Sequence, residues 1–158
     1  MTTLVLGLGN SLMSDDGFGV KAVTELSSRY RFSGDIRLLD GGTLGLDLLP
    51  RLEGVKNLLI IDALDMRVPP GGVSRLEGDA VPRAFASKLS VHQMGVQDLL
   101  AVAELQGHLP DRLVVWGVQP QSVEMGLELT PAVAAALPEV VRGVLTELQD
   151  WGHAGQRV

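Results

Sequence analysis

The sequence contains no cysteine, and this absence excludes disulfides, thiolate metal sites and a cysteine nucleophile. Aromatic residues make up only 4% of the chain, so Leu, Val and Ala must fill most of the core. No stretch approaches the roughly 18–20 apolar residues that a membrane helix requires. The apolar stretch near the N-terminus is too short for a signal peptide. We therefore expect a cytoplasmic protein that does not interact with membranes.

Basic charge is also scarce, because 13 Lys and Arg residues stand against 19 Asp and Glu residues and give a net charge of −6. A nucleic-acid-binding surface needs a basic stripe that releases counterions, so we expect no nucleic acid partner. A hydrophobic content of 46% against 20% charged residues favours a folded globule over disorder. The length of 158 residues predicts a single domain spanning residues 1–158.

Apolar strand patterns alternate with helical patterns along the chain. The patterns predict strands at 3–8, 36–39, 57–61, 73–76 and 113–118, and helices at 15–28, 44–52, 90–105 and 131–149. Ser14 and Thr130 are candidate N-caps, and Pro138 should kink or split the last helix. This alternation predicts an α/β fold with a mostly parallel sheet of about five strands and helices on both faces.

A glycine-rich junction, Gly7 to Gly19, follows the first strand. Phosphate-binding proteins present bare backbone N–H groups and a helix N-terminus at such a junction. Here Asp15 and Asp16 occupy that position, which suits a cation or a carbonyl better than a pyrophosphate. A dinucleotide site would use Gly7 and Gly9, but Leu12 stands where its third glycine belongs. The Gly-x-Ser-x-Gly motif of serine hydrolases does not occur.

Further polar residues follow the predicted strands. Asp40 ends the second strand and Asp62 the third, while His92 lies at the second position of a helix that Ser90 opens. Ligands bind beyond the carboxyl ends of such strands, and a helix N-terminus keeps an imidazole neutral. Two carboxylates and one imidazole make a plausible divalent metal site. Helix capping and turn formation would explain the same residues, so both interpretations stay open.

Two other histidines have no predicted role. His108 precedes a Leu-Pro pair in a predicted loop, and His153 stands in a polar C-terminal segment. We expect both side chains at the surface.

The motifs together resemble one family, the endopeptidases that mature nickel–iron hydrogenases. The opening pattern Gly-x-Gly-Asn-x-Leu-x-x-Asp-(Asp/Glu)-x-x-Gly runs from Gly7 to Gly19. The Asp-Gly-Gly-Thr turn follows at Asp40 to Thr43, the strand-end acid at Asp62 and a Ser-x-His-Gln block at Ser90 to Gln93. Beyond the last strand the similarity continues through Gly117, Pro120, Gly126 and Leu129-Thr130-Pro131. The resemblance covers nearly the whole chain, and several motifs in the same order are more specific than any one of them.

This resemblance implies a single three-layer domain with a twisted sheet. It also implies an enzyme that removes a C-terminal extension from the large-subunit precursor of a nickel–iron hydrogenase after nickel insertion. Asp16, Asp62 and His92 match the catalytic, metal-binding positions, and the nickel belongs to the substrate. Asp40, Gly41, Gly42 and Thr43 match a turn implicated in substrate recognition.

Two alternatives use the same donor atoms. A non-enzymatic nickel escort protein would bind the metal without cleaving a bond, although such proteins often contain His-rich tracts, and this chain has only three histidines. An ordinary metallohydrolase would hold its own zinc or another divalent metal as isolated.

Overall fold

The computed structural model describes residues 2–86 and 95–158. Its seven strands have the following bounds: β1 Thr3–Leu8, β2 Tyr30–Phe32, β3 Ile36–Gly42, β4 Asn57–Ala63, β5 Val73–Glu77, β6 Arg112–Val118 and β7 Gly155–Arg157. Its four α-helices are α1 Phe18–Arg29, α2 Ala80–Ala86, α3 Val96–Leu105 and α4 Pro131–Asp150. Two 3-10 helices, Ser14–Gly17 and Gly45–Leu52, complete the described elements.

The main sheet has five strands in the order β3-β1-β4-β6-β5. Neighbouring strands are parallel except for β5, which pairs with β6 in the antiparallel direction at one edge. The strands β2 and β7 form a separate antiparallel pair. This topology confirms the predicted mostly parallel sheet, and it brings the carboxyl ends of β1, β3, β4 and β6 to one end of the sheet. We call this end the carboxyl end, and the opposite one the amino end.

Helices cover both faces of the sheet, as the alternating pattern predicted. On one face, alternate residues of β1 such as Leu4 and Leu6 pack with α2, α3 and the 45–52 helix. On the other face, Val5 packs with α1 and α4. The central strands β1 and β4 are buried along their whole length, because they are covered on both sides.

The predicted helix at 15–28 starts later than expected. A 3-10 turn precedes α1, and Gly17, not Ser14, occupies the N-cap of the α-helix. The Ser14 hydroxyl donates instead to the carbonyl of Glu124 at 2.7 Å, and its backbone φ is 52°. The prediction of Ser14 as an N-cap was therefore wrong.

Two further helix predictions need correction, and a proline explains the first of them. The predicted helix at 44–52 is a 3-10 helix, and the interior Pro50 has no N–H to continue α-helical hydrogen bonding. The helix α4 starts at Pro131 as predicted, and it continues through Pro138 as one element, so of the predicted kink or split the split does not occur. The first part of the predicted helix at 90–105 lies outside the described residues.

None of the helices in the described ranges, residues 2–86 and 95–158, combines the length and the hydropathy of a transmembrane segment.

Candidate active site at the carboxyl end of the sheet

The loop after β1 places Asp16 beside the end of the sheet. At Gly9 the backbone has a φ of 124°, which favours glycine and turns the chain away from the strand. The next backbone N–H, that of Asn10, donates to Oδ2 of Asp16 at 2.9 Å. The Asn10 side chain accepts from the N–H of Leu12 at 2.9 Å, which closes a tight local turn. The half-buried Asp16 carboxylate is thus anchored to the turn.

Asp62 reaches the same place from the centre of the sheet. It is the penultimate residue of β4, and only 1% of its surface is exposed. Its Oδ1 accepts from the N–H of Ala63 at 2.8 Å. Because β4 lies between β1 and β6, its end faces the loop that follows β1.

Gly9 lies between the two acidic residues Asp16 and Asp62 and is close to both. A Cβ atom at this position would lie 1.8 Å from the backbone oxygen of Asp16 and 3.4 Å from Oδ1 of Asp62. Any larger residue would therefore displace the backbone of Asp16, in addition to straining its own backbone. The structure brings these two predicted site residues together, and their carboxylates offer hard oxygen donors of the kind that suit a divalent cation.

The Asp40–Thr43 turn borders this site. Asp40 is exposed, and its Oδ1 accepts from the N–H of Gly42 at 2.9 Å. The carbonyl of Gly42 in turn accepts from the N–H of Gly9 at 2.9 Å, where the pairing of β1 with β3 shifts register. Gly41 is buried, and a Cβ there would lie 2.7 Å from Cδ1 of Leu6. Asp40 and Thr43 are thus exposed at the rim of the site, while Gly42 joins this turn directly to the Gly9 turn.

Asp15 has a different role from its neighbour Asp16. It is completely buried, and its carboxylate accepts four hydrogen bonds of 2.7 to 3.0 Å, from the backbone N–H groups of Gln121, Ser122 and Thr130 and from the Thr130 hydroxyl. Burial opposes ionisation of Asp15, but these hydrogen bonds outweigh it and hold the pKa of the carboxyl below its ordinary value of 3.8. Asp15 therefore clamps the loop at 119–130.

The third predicted ligand, His92, lies outside the described residues, as do Ser90 and Gln93. Within residues 2–86 and 95–158, no three His, Cys, Asp or Glu side chains form a group that could hold a metal ion. The described part of the candidate site therefore contains two carboxylates, those of Asp16 and Asp62.

Two polar groups at the sheet ends were missed or misplaced by the sequence interpretation. Gln119, just after β6, accepts at Oε1 from the N–H of Met66 at 2.7 Å and donates to Oδ1 of Asp65 at 3.1 Å, so it ties the loop after β4 to the loop after β6. His153 is buried rather than solvated, because its ring contacts Thr3 and Ser33. The prediction for His108 is confirmed, since this residue is exposed.

Comparisons with known proteins agree with this geometry. A family model described as hydrogenase maturation protease matches residues 20–147. The hydrogenase expression/formation protein HupD of Rhodobacter capsulatus is 42% identical over 151 residues, which cover 94% of this chain and 72% of that protein. The hydrogenase 2 maturation protease of Escherichia coli K12 is 37% identical over 153 residues, which cover 96% and 93% of the two chains.

Solved structures show the same similarity. The hydrogenase maturating endopeptidase HybD from E. coli superposes with a TM-score of 0.94 at 36% identity, over 99% of this chain and 98% of that chain. A [NiFe] hydrogenase maturation protease HybD from Thermococcus kodakarensis gives a TM-score of 0.74 at 29% identity, over 91% and 97%. Sequence and fold agree over nearly the full length, and so this chain belongs to the hydrogenase maturation protease family and is an endopeptidase.

Proposed function

We propose that this endopeptidase removes the C-terminal extension of a nickel–iron hydrogenase large-subunit precursor after nickel has been inserted. The observation that carries the proposal is the convergence of Asp16 and Asp62 at Gly9, in a chain of this family. Two carboxylates at the open end of a parallel sheet suit a metal ion presented from outside.

In this proposal Asp16, Asp62 and His92 contact the nickel that the precursor carries. Three protein donors without a thiolate form an incomplete coordination shell, so they hold a free ion weakly. Such a set responds best to a metal whose remaining ligands come from the substrate. The enzyme then recognises nickel as the sign that metal insertion is complete, and contact with the metal holds the peptide bond to be cleaved in place.

The Asp40–Thr43 turn is proposed to recognise the substrate. Support comes from its exposed position and from its direct hydrogen bond to the Gly9 turn, which carries Asp16 on its other side. A peptide that contacts Asp40 would therefore lie within reach of the two carboxylates.

The first prediction tests the site with Asp16→Asn, which keeps the shape of the side chain and removes its charge. We expect the cleavage rate on nickel-loaded precursor to fall at least about 100-fold, because a metal contact loses its charge. Release of the extension can be followed by mass spectrometry. The matched control is Asp111→Asn, an exposed acid that immediately precedes β6 at the amino end, and it should cleave normally.

Normal cleavage by Asp16→Asn would contradict the assigned site. Metal analysis of the isolated wild-type protein tests the alternative of a resident metal. If one equivalent of zinc survives dialysis, the resident-metal alternative is supported and the proposed role of substrate nickel is contradicted. We also propose that the reaction takes place in the cytoplasm, which fractionation of cells can test.

A further inference from the structure

Four large apolar side chains are exposed together beside the site. Met125 is 88% exposed, Leu127 67%, Leu12 58% and Val123 52%. Leu12 lies in the turn before Asp16, and the other three lie in the loop between β6 and α4. We call these four residues the apolar patch. Exposed apolar residues that cluster in this way mark interaction surfaces, whereas isolated ones need no explanation.

Backbone hydrogen bonds join the two segments of the apolar patch. The N–H of Gly126 donates to the carbonyl of Leu12, and the N–H of Ser14 donates to the carbonyl of Gly126, both at 2.9 Å. Nζ of Lys21 also donates to the carbonyl of Leu127 at 3.0 Å. These bonds place Met125 and Leu127 on either side of a residue that is paired with the Asp16 turn.

Asp15 fixes the rest of the loop. Its four hydrogen bonds hold Gln121 and Ser122 on one side of the apolar patch and Thr130 on the other. The apolar side chains are therefore displayed on a hydrogen-bonded backbone, so little backbone conformational entropy is lost when a partner binds them. The same backbone carries Asp16, so a partner on the apolar patch is held in a defined position relative to the site.

The charges around the apolar patch indicate the chemistry of its partner. Glu124 and Glu128 are exposed and flank Met125 and Leu127 in the sequence, and together they outweigh the charge of Lys21, whose Nζ donates to the carbonyl of Leu127. A second copy of this chain is disfavoured, because a twofold contact would bring the acidic rims of both copies together. A complementary partner presents an apolar surface with Lys or Arg at its rim.

We infer that the apolar patch docks the folded body of the precursor protein, through an apolar area with a basic rim, while the extension enters the site. This inference rests on the proposed function, since it assigns a second contact to the same substrate. In this inference the Asp16–Asp62 site contacts the metal, and the apolar patch supplies affinity for the precursor protein that carries the metal.

The test compares Met125→Asp with Leu105→Asp as a matched control. Leu105 is 87% exposed, almost the same as Met125, but it ends α3 and so lies towards the amino end of the sheet. On nickel-loaded precursor, Met125→Asp should raise KM about tenfold or more, as the loss of a central interface residue does. Its kcat at saturation should stay within about twofold of wild type, and the control should match wild type in both constants.

Leu127→Ala is the second variant, and it should raise KM in the same direction without adding charge. Binding of each variant to the loaded precursor is measured as well, in the Asp16→Asn background that should not cleave. Unchanged KM and affinity in both patch variants would overturn the inference while leaving the endopeptidase assignment in place. Patch-dependent binding of a precursor that wild type fails to cleave would support docking and refute the proposed function. A wild-type dimer that Met125→Asp converts to a monomer would also overturn the inference.

Discussion

The two ends of the main sheet both bury polar side chains, but they use different chemistry. At the carboxyl end the buried groups include the carboxylates Asp15 and Asp62. At the amino end they are Thr3, Asn57 and His153. The first set consists of carboxylates, whose charge a cation or backbone N–H groups can compensate. The second set forms a closed network of hydrogen bonds.

The amino-end network joins His153 to Ser33 and Thr3, and Thr3 to Asn57. Nδ1 of His153 lies 2.8 Å from the carbonyl of Ser33, which can only accept, so Nδ1 carries the proton. Nε2 then accepts from the Thr3 hydroxyl at 2.7 Å, and that hydroxyl accepts from Nδ2 of Asn57 at 3.1 Å. Nδ1 of His153, the Thr3 hydroxyl and Nδ2 of Asn57 thus each donate to an acceptor in the network. The comparison shows that the role of a histidine depends on its hydrogen-bond partners. His153 is structural, although its sequence context suggested a position at the surface.

The largest effect on stability is expected from Asp15→Asn, which disrupts the hydrogen bonds of the buried carboxylate at the carboxyl end. The amide nitrogen would replace one of the two oxygens and would face at least the N–H of Thr130, while the remaining oxygen would lack the charge that compensates the donors of Gln121 and Ser122. We expect the free energy of unfolding to fall by about 3–5 kcal/mol, the range for a broken buried network around a charge. Urea unfolding at pH 7 measures this loss.

The neighbouring substitution Asp16→Asn is the natural control, because Asp16 is only half-buried. It should cost less than half as much stability as Asp15→Asn, although it should abolish cleavage. If the two variants lose equal free energy of unfolding, Asp15 does not have the special structural role that we assign to it.

A smaller effect is expected from Thr3→Val, which removes the central hydroxyl of the hydrogen-bond network at the amino end. Valine matches threonine in shape, but it leaves Nε2 of His153 and Nδ2 of Asn57 without the hydroxyl that joins them. We expect a loss of about 2 kcal/mol in the free energy of unfolding, with kcat and KM unchanged. Thr2→Val is the matched control, since the Thr2 hydroxyl makes an exposed bond to Asp35, and it should change stability by less than about 0.5 kcal/mol. Reduced cleavage by folded Thr3→Val would show that the two ends are coupled.

The sequence was sufficient to predict the elements that local patterns determine. The strands β1, β4 and β6 are apolar runs between turn residues, so their positions were predicted to within a few residues. The strands β2 and β7 were not predicted, because each has three residues and is defined by pairing such as that of Tyr30 with Arg157. The helix α2 was missed as well, since its seven residues, which include Pro82, give little helical periodicity.

The same division holds for the site. Strand ends meet in a parallel sheet, so the approach of Asp62 to the Asp16 loop was predictable. The opposite roles of Asp15 and Asp16 were not, because the partners of Asp15 are 106 to 115 residues away in the sequence. His153 was misplaced for the same reason, since Thr3 lies 150 residues before it. The metal-binding and catalytic roles of Asp16, Asp62 and His92 stay predictions, and so does the recognition role of the Asp40–Thr43 turn.

The smallest expected effect concerns pH and Asp65, which follows β4 at the carboxyl end. The side-chain N–H of Gln119 and then the backbone N–H of Arg67 donate to its Oδ1, both at 3.1 Å, and they lower the pKa of this carboxyl below its ordinary value of 3.8. Because the folded state favours the ionised form, this stabilisation is present above the unfolded pKa and is lost as the pH falls through the folded pKa. Asp65→Asn should therefore have a slightly lower Tm than wild type at pH 7, and the difference should shrink as the pH falls below 3.8, the ordinary pKa of the carboxyl. In a Gln119→Leu background the difference at pH 7 should shrink too, because the main donor is gone. A difference that grows as the pH falls would mean that the carboxyl end does not depend on this ionised carboxylate.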